Sequence, residues 1–233
     1  MSAIFGTDGI RGVFGEPPID RSTMQQVAAA LARRLRVDGG SPRVVLGGDT
    51  RASTPTLAGW LEQSLRNAGV EVANAGIVPT PAVAFLVRHL GADAGVAVSA
   101  SHNPHTDNGI KLFDAAGFKW SVAAETALAA DLRGDDVQAD EVGPVSDPDP
   151  GLAEAYLAAL LSEFADDGLE GLHAALDAGN GAAAALAATA FARAGARATV
   201  IGNRPDGINI NVDCGSTSPE RVAAETTAAG AQI

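Results

Sequence analysis

Cysteine is nearly absent from this chain of 233 residues: Cys214 stands alone. No internal disulfide can form, which fits a reducing compartment and leaves the thiol's simplest role as a small, half-buried apolar group. Aromatic residues make up only 4%, so the core must be aliphatic and rich in alanine. No apolar run approaches the length of a bilayer span, because Asp, Glu, Arg or Gly interrupts each one. The opening MSAIFGTDGIRG lacks the basic stretch followed by an apolar run that marks a signal peptide. A soluble, cytoplasmic protein is expected, with no membrane partner.

Positive charge is also scarce. Sixteen Lys and Arg face 28 Asp and Glu, for a net charge of −12. That balance argues against nucleic acid or an anionic membrane as a partner, and it obliges any anionic substrate to find a local cationic pocket. Lysine is the scarcest cation: only Lys111 and Lys119 occur, and the other 14 basic residues are Arg. Both lysines fall just after Ser101, where a compact ammonium suits a phosphate oxygen.

What is present in that region is a strand, a loop and a returning strand. Gly95 to Ala100 is small and β-branched, and Ile110 to Phe113 repeats that character. Between them SHNPHTDNG cannot become helix: Pro104 removes a donor and restrains Asn103, while Asp107, Asn108 and Gly109 favour turns. Ser101 is therefore expected at a strand end.

These residues carry a resemblance. SASHNPHTDNGIKLF resembles the phosphoserine loop of the α-D-phosphohexomutases. FGTDGIRG, Phe5 to Gly12, and NINVDCGSTSPE, Asn209 to Glu220, are similar to further stretches of the branch of that superfamily acting on glucosamine phosphate. The matches stand in the expected order along essentially the whole chain. The resemblance implies an α/β fold of three-layer α/β/α mixed-sheet domains, with one complete domain (1–134), a linker (135–151) and most of a second domain (152–233). It implies that Ser101 carries a phosphoryl group between the two ends of a sugar phosphate, by way of a bound sugar 1,6-bisphosphate. Glucosamine phosphate is the expected substrate, with mannose or glucose phosphate as the alternative.

The resemblance also implies site residues. Ser101, His102, Lys111 and Arg11 are the expected catalytic set; Arg11, Asn103, Lys111, Lys119 and Arg51 are the expected phosphate or substrate contacts. Lys111 can also carry the proton of the attacking hydroxyl if a neighbouring cation depresses its pKa. A Mg²⁺ ion is implied on Ser101 through its phosphate. Its carboxylate ligands are expected beyond Ile233, so the chain alone is expected not to turn over. A homodimer is implied by family likeness only. Where the family usually carries a basic residue this chain has Gly48.

The remaining chain reads as repeated strand, turn and helix. Ile4 to Gly15 reads as glycine turns with exposed amides. A helix capped by Ser22 or Thr23 runs to about Arg36, Arg43 to Leu46 is a strand, and a helix spans about Thr54 to Asn67. Val70 to Ala73 is the next strand, followed by helices from Pro81 to about His89 and from Ser121 to about Leu132. Arg51 sits at a turn, where either a phosphate or a structural ion pair can use it. Gly134 to Gly151 is rich in acid, Pro and Gly, as a linker is. Leu152 to Phe164 reads as helix, Gly230 ends the last helix, and Ala231 to Ile233 begin a strand.

Three rival chemistries have some footing in the residues. A serine hydrolase is disfavoured because Ser101 and His102, adjacent on an extended chain, point apart and no GxSxG elbow exists. His102, His105 and Asp107 lie on one short loop without a further metal ligand. Asp177 to Ala184 fits a GxGxxA dinucleotide loop, but no acid stands at the tip of the following strand, so its glycines read as close strand-to-helix packing. A non-catalytic interaction module completes the alternatives.

Overall fold

The structure, a computed structural model, describes residues 4–36, 40–132, 145–164 and 168–233. The acidic stretch proposed as a linker lies for the most part outside the described residues.

The first unit is a five-stranded mixed sheet. Its strands are β1 (Ile10–Val13), β2 (Arg43–Gly48), β3 (Glu71–Ile77), β4 (Ala94–Val98) and β5 (Asp107–Asp114), in the order β1-β5-β4-β2-β3. β2 pairs parallel with β3 and β4, while β5 pairs antiparallel with β4 and β1. Alternate side chains of the central strands feed two cores, as a period of two requires. Val44, Leu46, Val96, Val98, Ile110 and Leu112 meet α1 (Arg21–Leu35), α2 (Thr54–Asn67) and α4 (Val122–Ala130). On the other face Val45, Ala97 and Phe113 meet α3 (Thr80–Leu90) and Leu152 of α5 (Pro150–Ser162). Burial on both faces explains why β2 and β4 read as unbroken small and β-branched runs. The expected three-layer α/β/α arrangement is what forms.

Two local expectations change. The glycine-rich start is not a run of open turns: β1 pairs with β5, Ile10 opposite Ile110 and Val13 opposite Asp107. Alternating glycine and polar residues hid the strand, since no apolar period marks it. The cap of α1 is Asp20, whose carboxylate accepts from Thr23 N at 2.7 Å, not Ser22 or Thr23. Ser121 does cap α4, accepting from Ala124 N at 3.2 Å.

The second unit pairs β6 (His173–Asp177) in parallel with β7 (Arg197–Ile201), flanked by α6 (Ala187–Arg193) and α7 (Pro219–Ala229). Gln232 N donates to His173 O and Ala175 N donates to Ile233 O, each at 2.8 Å, so 232–233 line up along β6 as a further strand would. α5 joins the units. Leu152 enters the core of the first while Arg193 of α6 pairs with Glu154 at 2.6 Å. The approach to α5 is strapped down as well: Glu62 accepts from Ser146 N at 2.8 Å, and Asn74 O accepts from Asp149 N at 2.9 Å. Among the described residues no helix is long and apolar enough to cross a membrane.

Candidate active site

Ser101 stands past the carboxyl end of β4, beside the carboxyl end of its parallel neighbour β2. Ligands of open α/β sheets bind at such strand ends. The residue is exposed and its backbone is left-handed, φ 58°. A serine in that region costs about 1–2 kcal/mol, so the surroundings must hold it there. They do so mainly through one buried arginine.

Arg51 has a fully buried side chain, and each of its five donors is engaged. Nε donates to Asp49 Oδ2 at 3.0 Å. Nη1 donates to the carbonyls of Pro104 and Asp107, and Nη2 to those of Ser101 and Asn103, the last two at 2.9 Å. Asp49, itself buried, also accepts from Arg51 N and Thr54 Oγ1. The expectation that Arg51 contacts phosphate is therefore corrected: no donor remains for a ligand, and the residue is the internal frame of loop 101–107.

Arg11 differs. It comes from β1, which lies next to β5, and its Nη1 donates at 3.3 Å to both Ala100 O and Asn103 Oδ1. Nη2 donates to Asp8 Oδ2 at 2.6 Å, and Nε is buried without an acceptor. Arg11 thus touches the serine loop while keeping donor capacity uncommitted. Asn103 is braced on both sides, by Arg11 and through its own Nδ2 to Asp107 Oδ2 at 2.8 Å. Its side chain supports the loop.

Lys111 Nζ lies 2.7 Å from Asp8 Oδ2, so one carboxylate oxygen holds both cations. Burial pushes the Asp8 carboxyl up, but Lys111 and Arg11 outweigh it and the net shift is downward. Asp8 was not singled out in the sequence. Its signal was the neighbouring glycine: Gly9 has φ +86°, and a Cβ there would lie 2.1 Å from Ile110 O. Only glycine lets the TDG turn press onto β5, which brings Asp8 over Lys111.

Lys119 is not part of this cluster. It bridges to Phe113 at the far end of β5, six residues from Asp107, or about 20 Å at the usual strand rise. Its ammonium pairs with buried Glu125 at 2.8 Å and so ties α4 to the sheet. The expected phosphate contact at Lys119 is corrected on that ground.

His102 is exposed and, with Asp8, Arg11, Thr7, Gly6 and Thr23, lines an open cleft of about 930 Å³. The left-handed Ser101 removes the alternation used to separate it from His102; among the described residues, however, no hydrogen bond joins the two side chains. Gly48 is no vacant slot for a cation either, since Thr54 Cγ2 would lie 2.5 Å from a Cβ built on it.

Among the described residues no group of three His, Cys, Asp or Glu converges to hold a metal. The carboxylates near Ser101 have other work: Asp8 holds two cations, Asp49 holds Arg51, and Asp107 holds Asn103. Mg²⁺ asks for a near-octahedral set of oxygens, and these residues do not supply one. The GxGxxA loop is filled by its own chain. Asp177 accepts from Gly179 N and Gly215 N at 2.8 and 2.7 Å, and a Cβ on Gly179 would sit 3.3 Å from Asn211 Oδ1. Turns rather than a helix follow those glycines, α6 starting only at Ala187, so neither close strand-to-helix packing nor a pyrophosphate cradle is built there.

A strand-end serine on a mixed three-layer sheet, framed by a buried arginine, its loop touched by Arg11 and Lys111 tied to Arg11 through Asp8, defines a class, and comparison with known proteins agrees with it. Residues 2–138 match the phosphoglucomutase/phosphomannomutase family, alpha/beta/alpha domain I. The chain belongs to that family. It is 40% identical over 239 residues to the phosphoglucosamine mutase of Corynebacterium glutamicum, and 43% identical over 240 residues to that of Moorella thermoacetica. Each alignment takes in 100% of this chain and 53% of the relative, so the chain spans about half the length of the curated relatives it matches. A phosphoglucomutase/phosphomannomutase family protein from Burkholderia thailandensis superposes with a TM-score of 0.78 at 28% identity, covering 99% of this chain and 51% of the other. A structure from Thermus thermophilus gives 0.81 at 28% identity, covering 98% and 52%.

Proposed function

We propose that this chain is the phosphoserine-bearing part of a phosphoglucosamine mutase, in which Ser101 carries a phosphoryl group between O6 and O1 of glucosamine phosphate. The observation that carries the reading is the exposed, left-handed Ser101, its carbonyl held by buried Arg51 and its loop touched by a cation with donors to spare. In the first transfer the P–O bond to Ser101 breaks as one forms to the free sugar hydroxyl, and the hydroxyl's proton ends on Ser101 Oγ. The bisphosphate turns over; the P–O bond to the other sugar oxygen then breaks as one forms to Ser101 Oγ, whose proton ends on the freed sugar oxygen. Arg11 and Lys111 supply positive charge where charge builds up on the transferring oxygens. Asp8 neutralises one of those charges and fixes the position of both. The proton-carrying role expected of Lys111 needs a cation beside it. The geometry offers a carboxylate instead, with Arg11 reached only across Asp8, so Lys111 is assigned to charge compensation. His102 lines the cleft into which a phosphate would enter. We infer two domains divided near 134–151, with sugar selection and the remaining Mg²⁺ ligands supplied from outside these residues.

The test is intact-mass measurement after incubation with a hexose 1,6-bisphosphate and Mg²⁺. One phosphoryl group on Ser101, absent in Ser101→Ala, is the expected result, without mutase turnover by these 233 residues alone. A folded chain that stays unphosphorylated overturns the reading and favours the non-catalytic module.

A further inference from the structure

The sequence NINVDCGSTSPE supports a resemblance but has no part in the chemistry above. The structure gives one of its residues a contact across the molecule. Asn211, in the second unit, has a left-handed backbone with φ 60°, and its N donates to Gly179 O at 2.9 Å. Fixed by that bond, its side chain reaches the serine loop of the first unit. Nδ2 donates to Ser101 O at 2.9 Å and to Asn103 O at 3.3 Å.

These are the two carbonyls that Arg51 Nη2 also holds. A carbonyl oxygen has two lone pairs, so each accepts one bond from its own unit and one from the other. Ser101 is the residue of this loop with a left-handed backbone, and its peptide plane is therefore restrained from both sides. Other bonds between the units avoid the loop. Thr50 Oγ1 donates to Asn180 O at 2.5 Å, and Ala52 N donates to Gly207 O at 2.9 Å.

We propose that Asn211 is a positioning residue for Ser101: it holds the strained serine loop from the second unit and so sets how fast Ser101 accepts a phosphoryl group. The proposal rests on Ser101 being the acceptor. It assigns to a side chain 110 positions away a share in the task that Arg51 performs from within the first unit. Asparagine suits the post because it tolerates a left-handed backbone and ends in a donor.

The test compares Asn211→Gly and Asn211→Asp with Thr50→Val. Glycine keeps the left-handed backbone and removes the donor; aspartate keeps the shape and turns a carboxylate oxygen toward two carbonyls. Thr50→Val weakens the same junction without touching the loop. Both Asn211 variants are expected to slow phosphoryl transfer to Ser101 from a hexose 1,6-bisphosphate by about tenfold. The bisphosphate concentration giving half-maximal rate should stay unchanged, and Thr50→Val should remain within about twofold of wild type. Amide hydrogen exchange over 101–107 should quicken in the two Asn211 variants and not in Thr50→Val. Equal effects from all three variants, or unchanged exchange and rate in Asn211→Gly and Asn211→Asp, overturn the proposal. Should wild type take up no phosphate, the Ser101 reading fails by itself, and exchange still decides whether Asn211 holds the loop.

Discussion

The carboxylate of Asp8 lies 2.7 Å from the ammonium of Lys111, and the same oxygen takes a second cation, Arg11, at 2.6 Å. A bridge of this kind fixes two positive groups at one place without cancelling both. Beside a phosphoryl group, the remaining charge is worth more than it would be in bulk water.

Lys111→Met should therefore slow phosphoryl transfer to Ser101 by about a hundredfold, the usual scale for losing one preorganised charge or donor at a developing anion. Thermal stability should change little, because Lys111 is partly exposed and its partner retains Arg11. Rates of Ser101 phosphorylation measured by intact mass decide the matter. Transfer at the wild-type rate would remove Lys111 from the site.

The same pair predicts a pH response. The folded value of Asp8 lies below its ordinary one, because Lys111 and Arg11 outweigh the opposing effect of burial. A depressed carboxylate lends stability that is fully present above the unfolded value, near 3.9, and disappears as pH falls through the lower folded value. The amount is small, since the group is 41% exposed and solvent screens it. A carboxyl NMR titration should place the Asp8 midpoint below the ordinary range in wild type and higher in Lys111→Met. An unmoved midpoint would mean that Lys111 does not govern the carboxylate.

Arg51 presents the opposite case, a cation whose whole function is internal. Arg51→Ala would strand the buried Asp49 carboxylate and leave four loop carbonyls short of a donor. A loss of about 3–5 kcal/mol in denaturant unfolding is expected, the scale for breaking a buried pair from one side. Arg51→Lys should not rescue it, because three rotatable donors cannot cover a fork of five. Full stability in the lysine variant would return Arg51 to the surface of the problem.

The contrast between the two arginines shows what a sequence can and cannot disclose. The hairpin around Ser101, the unbroken small and β-branched runs of β2 and β4, and the Ser121 cap are local, and local patterns showed them. Arg11 and Arg51 both stand in glycine-rich turns and read alike. They part company only in the fold: β1 pairs with β5 and sets Arg11 at a cleft, while Asp49 and the carbonyls of loop 101–107 enclose Arg51. Lys119 misled for the same reason: close to Ser101 and Lys111 in sequence, it bridges to Phe113, six residues along β5 from the loop, and its ammonium turns to Glu125. Asp8 and Asn211 were illegible because their roles rest on contacts about a hundred residues distant, and neither residue type advertises them.

Lys119 provides the control that separates packing from chemistry. Its ammonium neutralises Glu125, whose side chain is 3% exposed and which ties α4 to the hairpin at 2.8 Å. Lys119→Ala would leave that carboxylate buried without its counter-ion, and a destabilisation of about 1–3 kcal/mol is expected. Phosphoryl uptake at Ser101 should nevertheless proceed at the wild-type rate below the unfolding transition, because about 20 Å of strand lies between Lys119 and the loop. Lys119→Ala/Glu125→Leu should regain much of the loss by removing the unpaired charge together with its partner. If Lys119→Ala instead retained full stability and slowed uptake at Ser101, the lysine would act at the phosphate after all, and the separation of the two ends of β5 would have to be abandoned.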